Sequence, residues 1–164
     1  MAEESSAAID FAVVTYLEEG RWRASSLAST AARDLDTFVR TLRQQPGDLG
    51  CLGFVSVDDD FFVMVRVWGN EVRFLLSDVT AATDWPLARE VLDELALPVP
   101  DEDDEDQAQP AGDLTIVADL GMAAMDLGAL CDDLDLYPDE MLAKIAERLG
   151  CGPAFRHAVD AAVG

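Results

Sequence analysis

Three apolar segments separated by two short links constrain the fold of this chain more than any other feature. They span residues 50–57 (GCLGFVSV), 61–68 (FFVMVRVW) and 71–77 (EVRFLLS). Asp58-Asp59-Asp60 joins the first pair. Gly69-Asn70 joins the second, and its glycine suits a tight hairpin turn. Strands joined by links this short run antiparallel, so the sequence predicts a three-stranded meander.

The segments on either side of the meander extend it into an α+β domain over residues 1–97. Residues 9–17 are apolar on both faces and predict a central strand, and residues 21–26 predict a second, more exposed one. Apolar residues at helical spacing predict one helix before the meander and one after it, the second with Pro86 in its first turn. The order β-β-α-β-β-β-α indicates a five-stranded antiparallel sheet with two helices. This order resembles the profilin-like and longin-like folds, a likeness of topology that carries no function by itself.

Two further segments complete the predicted organisation. Residues 98–112 (PVPDEDDEDQAQPAG) carry six acids and no base, and their composition predicts a disordered, self-repelling acidic linker. Residues 113–164 predict a small C-terminal helical segment. Its helices are expected over 122–130, from Pro138 to Leu149, and from about Pro153 to Val163. Residues 114–120 (LTIVADL) suit either the start of a helix or a short strand.

The charge balance restricts the class of partner. The chain has 33 Asp and Glu residues against 11 Lys and Arg, a formal net charge of −22. Binding to a nucleic-acid backbone needs clustered Lys and Arg, and an acidic chain is repelled by anionic membranes, so neither partner is expected. The charge serves either solubility alone or attraction of a basic protein partner. The N-terminus lacks the features of a signal peptide, and a cytoplasmic protein is expected.

No residue of the sequence is predicted to be catalytic, and no cofactor or metal is expected. His157 is the only histidine, and the phosphate-binding and zinc-protease motifs are missing. The three cysteines are distant from one another and show no zinc-ligand spacing, which favours buried thiols. Asp58, Asp59 and Asp60 are consecutive, unlike the alternating ligands of a calcium loop, so a turn is favoured over a cation site.

Large amphipathic side chains provide the candidates for partner binding. Phe62, Met64, Arg66 and Trp68 share one face of the middle strand, which either forms an interface patch or lies under a flanking helix. The acidic residues before the second tail helix either cap that helix, contact a partner or hold a metal. The candidate partner-binding residues are Phe62, Met64, Arg66, Trp68, Trp85, Asp132, Asp133, Asp135 and Tyr137.

Three stretches resemble a known family. They are residues 55–68 (VSVDDDFFVMVRVW), 75–95 (LLSDVTAATDWPLAREVLDEL) and 126–150 (DLGALCDDLDLYPDEMLAKIAERLG). With the acidic segment between them, they resemble the tRNA adenosine deaminase-associated proteins of high-GC bacteria, over roughly residues 9–160. The resemblance implies an association with the enzyme that converts adenosine to inosine at the wobble position of tRNA.

The chain itself lacks the deaminase signature. Zinc deaminases need H-x-E and P-C-x-x-C, whereas His157 is followed by Ala158 and Val159, and no P-C-x-x-C occurs. The sequence therefore predicts a non-catalytic accessory protein that binds or regulates the tRNA adenosine deaminase. The alternative is a chaperone-like or adaptor module for another cytosolic protein.

Overall fold

The computed structural model describes residues 9–45, 50–100, 109–133 and 135–163. Its strands form one antiparallel sheet in the order β2-β1-β3-β4-β5-β6. They are β1 (Ile9–Glu18), β2 (Arg21–Leu27), β3 (Cys51–Val57), β4 (Phe61–Trp68), β5 (Glu71–Leu76) and β6 (Ala111–Gly112). The α-helices within the described residues are α1 (Leu35–Arg43), α2 (Pro86–Glu94), α3 (Ala124–Cys131), α4 (Pro138–Leu149) and α5 (Gly152–Val163). The predicted α+β class with an antiparallel sheet is confirmed.

The predicted number of five strands is wrong, because β6 adds a sixth at the edge. Ala111 and Gly112 pair with Leu76 and Leu75, although the sequence assigned them to the disordered linker. Gly112 has a φ of 118°, and a Cβ there would lie 2.2 Å from the carbonyl oxygen of Phe74. Only glycine allows this approach of two backbones. Residues 101–108, where the predicted acidic linker is centred, lie outside the described residues.

Strand β4 lies in the middle of the sheet and is buried on both faces. Seven of its eight residues are buried, and Trp68 at its end is the exception. Its register runs from Val57 opposite Phe61 to Cys51 opposite Val67 on β3. A strand that is apolar on both sides needs a cover on each face, which explains the two helical layers.

Helices α1 and α2 cover the first face. Phe38 and Leu42 of α1 pack with Val55, Val63 and other valines of the sheet. The Asp34 side chain accepts a hydrogen bond from the amide of Thr37 at 2.7 Å and so caps α1. Glu90 of α2 accepts a bond from the Leu35 amide at 2.9 Å, which ties the two helices together.

The C-terminal helices cover the second face. Phe62 and Met64 of β4 share a core cluster with Leu142 and Ile145 of α4. Phe155 of α5 adds edge-to-face contacts, with its ring centroid 5.8 Å from that of Phe11 and 5.2 Å from that of Phe54. The Trp22 indole also donates to the carbonyl of Leu149 at 3.1 Å. The tail helices therefore complete the hydrophobic core of the sheet.

Arg66 fastens the segment before α3 to the centre of the sheet. Its side chain is 3% exposed, donates to the carbonyl of Ile116 at 3.0 Å and forms a bidentate pair with Asp119, one bond being 2.9 Å long. Asp119 belongs to a short 3-10 turn, Ala118–Leu120. Residues 114–120 are thus neither the strand nor the α-helix start that their composition suggested.

Candidate functional site

An acidic groove of about 540 Å³ opens at the end of the sheet where the β3–β4 turn lies. Its walls come from that turn, from the residues that follow β5, and from the described residues between α3 and α4. Because Leu76 near the end of β5 pairs with Val63 near the start of β4, a meander brings the first two walls together. We refer to this feature as the acidic groove.

The β3–β4 turn supplies the first wall. Asp58 and Asp59 have φ values of 49° and 53°, in the left-handed region that Asp tolerates better than most residues. The Asp59 amide donates to the Asp10 carboxylate at 3.0 Å, and the Asp60 amide donates to the carbonyl of Val57 at 2.8 Å. Asp58, Asp59 and Asp60 therefore form the turn that the sequence favoured over a cation site.

Trp85 lies beside this turn. Its indole donates to Asp60 at 2.7 Å, and its ring packs at 6.0 Å from that of Phe61. It is also the N-cap residue of α2, with Pro86 in the first turn as predicted. Trp85 thus supports the groove wall and the start of a helix together.

The residues between α3 and α4 supply the opposite wall and bring three predicted residues together. Asp132 and Asp133 line the groove with Tyr137, whose side chain is 62% exposed. The carboxylates do not cap α4 as one interpretation had them. Asp133 accepts from the amide of Asp135 at 3.0 Å, and Glu140 accepts from the Tyr137 amide at 3.1 Å. Asp135 is exposed.

The groove is electrostatically uniform. The carboxylates that line it are those of Asp59, Asp60, Asp78, Asp132 and Asp133, and none of the described lining residues is Lys or Arg. None of the ion pairs in the described parts of the chain involves these five side chains. Within the described ranges, no basic side chain therefore neutralises their negative field.

The remaining candidates on β4 lie elsewhere. Phe62 and Met64 are fully buried beneath the C-terminal helices, and Arg66 is 3% exposed, so these three side chains present no surface to a partner. Of the two interpretations of this strand face, the covered one is correct. Trp68 is 45% exposed, with the Arg66 guanidinium carbon 5.0 Å from its ring centroid. It lies at the far end of β4, roughly 20 Å along the strand from the acidic groove.

Sequence reasoning missed Asp59, Asp60 and Asp78 as parts of the same site. The strand order already implied this proximity, because in a meander the β3–β4 link and the residues after β5 lie at the same end of the sheet.

The described residues contain no group of three or more His, Cys, Asp or Glu side chains placed to hold a metal ion. None of the helices in those residues is long and apolar enough to cross a membrane.

Comparison with known proteins agrees with the resemblance seen in the sequence. The family model of the Rv3753c-like tRNA adenosine deaminase-associated proteins matches residues 10–152. Protein Rv3753c of Mycobacterium tuberculosis is 40% identical over 152 residues, which cover 92% of this chain and 87% of that protein. No solved structure matches the chain, so the likeness to profilin-like or longin-like folds stays a prediction.

Proposed function

The chain belongs to the Rv3753c-like tRNA adenosine deaminase-associated protein family, and on this premise we propose that it is a non-catalytic accessory protein that binds the tRNA adenosine deaminase. The acidic groove around Tyr137 is the proposed contact surface. The family name supports an association with the tRNA adenosine deaminase, and the acidic groove is the surface at which we propose that contact.

The observation that carries the proposal is a set of five carboxylates around an exposed aromatic side chain, none of them in an ion pair with another described residue. An enzyme that binds tRNA needs a basic surface to neutralise phosphates. A negative groove complements such a surface, speeds the encounter and selects against acidic competitors. Tyr137 adds the kind of amphipathic contact that anchors protein interfaces.

The residues also support a role without catalysis. The only histidine, His157, is followed by Ala158 and Val159, and the cysteines lack the P-C-x-x-C spacing that zinc deaminases use. The deaminase would supply the chemistry, and this chain would act on its access, placement or stability.

The test measures the affinity of the purified deaminase for the wild-type chain and for the double variant Asp132→Asn/Asp133→Asn. The matched control is Asp93→Asn/Asp160→Asn, which removes the same charge from two exposed residues outside the groove. We expect the groove variant to bind roughly tenfold more weakly and the control to stay within about twofold of the wild type. Equal weakening of both variants would leave only a diffuse charge effect and contradict the assigned site.

An adaptor role toward another protein is the alternative outcome. It would be favoured if the deaminase failed to bind while the wild-type chain, and not the groove variant, recovered a different basic protein from cell extract.

A further inference from the structure

Helix α3 exposes apolar side chains that the fold does not use. Of its eight residues, AMDLGALC, only Leu127 is buried, and Met125 is 85% exposed. Methionine is flexible and polarisable and adapts its shape to different apolar partners. An exposed position of this kind is a common feature of surfaces that accept a helix.

A second groove runs between α3 and α4. Met125 is not one of its lining residues but lies one helical turn from Ala129, which is. Its volume is about 690 Å³, and its apolar lining includes Met122, Leu130 and Leu136. Asp133 and Leu136 line this groove and the acidic groove alike, so the two grooves are adjacent. We refer to the two together as the extended groove.

The charges on the extended groove define what its occupant must carry. The acids that line it are Asp59, Asp60, Asp78, Asp126, Asp132, Asp133 and Glu147, and the bases are Lys144 and Arg148. Arg148 already pairs with Asp126 at 3.0 Å. Acidic side chains therefore outnumber basic ones around the apolar residues that line the extended groove.

We propose that the extended groove binds a basic amphipathic helix of the partner protein. This inference rests on the proposed function and specifies the kind of segment that would be recognised. Apolar residues along one side of such a helix would pack on Met125, Leu136 and Tyr137, while its Lys and Arg residues would face the carboxylates of the walls. Two helices and their connection line the groove, which suits the ridge of a third helix.

An extended peptide fits this surface less well than a helix. Extended segments bind by adding to an open strand edge. None of the described residues that line the extended groove belongs to a strand. Side-chain packing and charge, rather than backbone pairing, must therefore provide the affinity.

The first experiment uses two synthetic 18-residue peptides made of Leu, Ala and Lys in equal composition. One places Leu at helical spacing, and the other has the same residues reordered to remove the stripe. Fluorescence anisotropy should show at least about tenfold tighter binding of the striped peptide. Equal binding of the two peptides would mean that charge alone is recognised and would overturn the inference.

The second experiment replaces Met125, beside the second groove, and Tyr137, in the lining of the acidic groove. Met125→Ser and Tyr137→Ser change exposed side chains, and serine is itself a favourable N-cap residue at position 137, so the fold should persist. Each should weaken the striped peptide roughly fivefold or more. Val99→Ser is the matched control, because Val99 is an exposed apolar residue outside the groove. Unchanged affinity in both the Met125 and the Tyr137 variant would overturn the inference.

The same variants measured against the deaminase separate this inference from the function on which it rests. A deaminase that binds the wild type and Met125→Ser equally, yet loses affinity for Asp132→Asn/Asp133→Asn, would leave the function standing and overturn the helix. Binding of the striped peptide without binding of the deaminase would support the helix site and contradict the proposed function.

Discussion

Replacing Asp119 by Asn tests whether the Arg66–Asp119 pair holds the C-terminal segment on the sheet. Arg66 is 3% exposed, so Asp119→Asn removes a carboxylate charge that faces a buried guanidinium. Breaking a buried ion pair by removing one partner typically costs about 3–5 kcal/mol. Here the Asp119 side chain is 44% exposed and Arg66 keeps its bond to the carbonyl of Ile116, so water and that bond reduce the loss. We expect about 2–3 kcal/mol.

Urea unfolding at neutral pH measures this change directly. The control is Asp126→Asn, which breaks the ion pair between Asp126 and Arg148. Both of these side chains are about half exposed. Exposed pairs contribute less than about 1 kcal/mol, so the control should stay within that range. An Asp119→Asn variant no less stable than the control would refute the assignment of a buried structural pair.

The pH dependence of the same comparison gives a second check. The Arg66 hydrogen bonds hold the pKa of Asp119 below its ordinary value of 3.8 and outweigh the opposite effect of partial burial. Because the folded-state pKa is lowered, the stabilisation is present above the unfolded pKa and is lost as the pH falls through the folded one. The stability difference between wild type and Asp119→Asn should therefore be constant near neutral pH and shrink below about pH 4.

Three further predictions test the two-layer core. Phe155→Ala should cost about 3–5 kcal/mol in urea unfolding, because its ring fills the layer between α5 and the sheet, and a loss under 1 kcal/mol would contradict that packing. Gly53→Ala should cost about 1–3 kcal/mol, since the new Cβ would lie 2.6 Å from the Phe38 ring, and unchanged stability would show that α1 lies farther from β3. Burial raises the pKa of the Cys51 thiol to about 11 and that of Cys131 and Cys151 to about 12. Iodoacetamide at pH 8 should therefore modify the buried Cys51 and Cys151 slowly in the native protein and fast in the urea-unfolded protein, whereas rapid native labelling of either would place that thiol at the surface.

Local patterns in the sequence predicted the elements of the fold well. The meander links and the apolar alternation located β1 to β5, and the i, i+3, i+4 spacing located α1, α2 and α4. These features depend on neighbours within a few residues, which the sequence displays directly. Strand β6 was not predicted, because two residues are too few to show an alternating apolar pattern. Its pairing depends on the close approach of Gly112 to the backbone of Phe74, which is distant in sequence.

The packing of the tail was harder to predict, although β4 held the clue. Phe62 and Met64 lie on one face of this strand, and Val63 and Val65 lie on the other. Because both faces are apolar, each needs a layer of helices packed against it. The helices described within the first 97 residues cover only one of the two faces. The tail helices were therefore the remaining source of a second layer. Their position buries Phe62, Met64 and Arg66 and decides between the two interpretations of this strand face.

The candidate site was partly predictable for the same reason. Asp132, Asp133 and Tyr137 stood out locally by charge and aromatic character. Their neighbours across the groove come from a turn and a strand end far away in sequence. Only the assembled sheet shows that these acids share one surface and that Trp68 lies well away from it.

Size-exclusion chromatography with light scattering, applied to this chain mixed with the purified tRNA adenosine deaminase, shows directly whether the two proteins form a complex. At about 50 mM salt we expect a complex that elutes as one species with the summed mass. At about 500 mM salt that complex should weaken, because screening reduces attraction between exposed charges. Two separate peaks at the lowest ionic strength, at concentrations above those used for the affinity measurements, would contradict the proposed function.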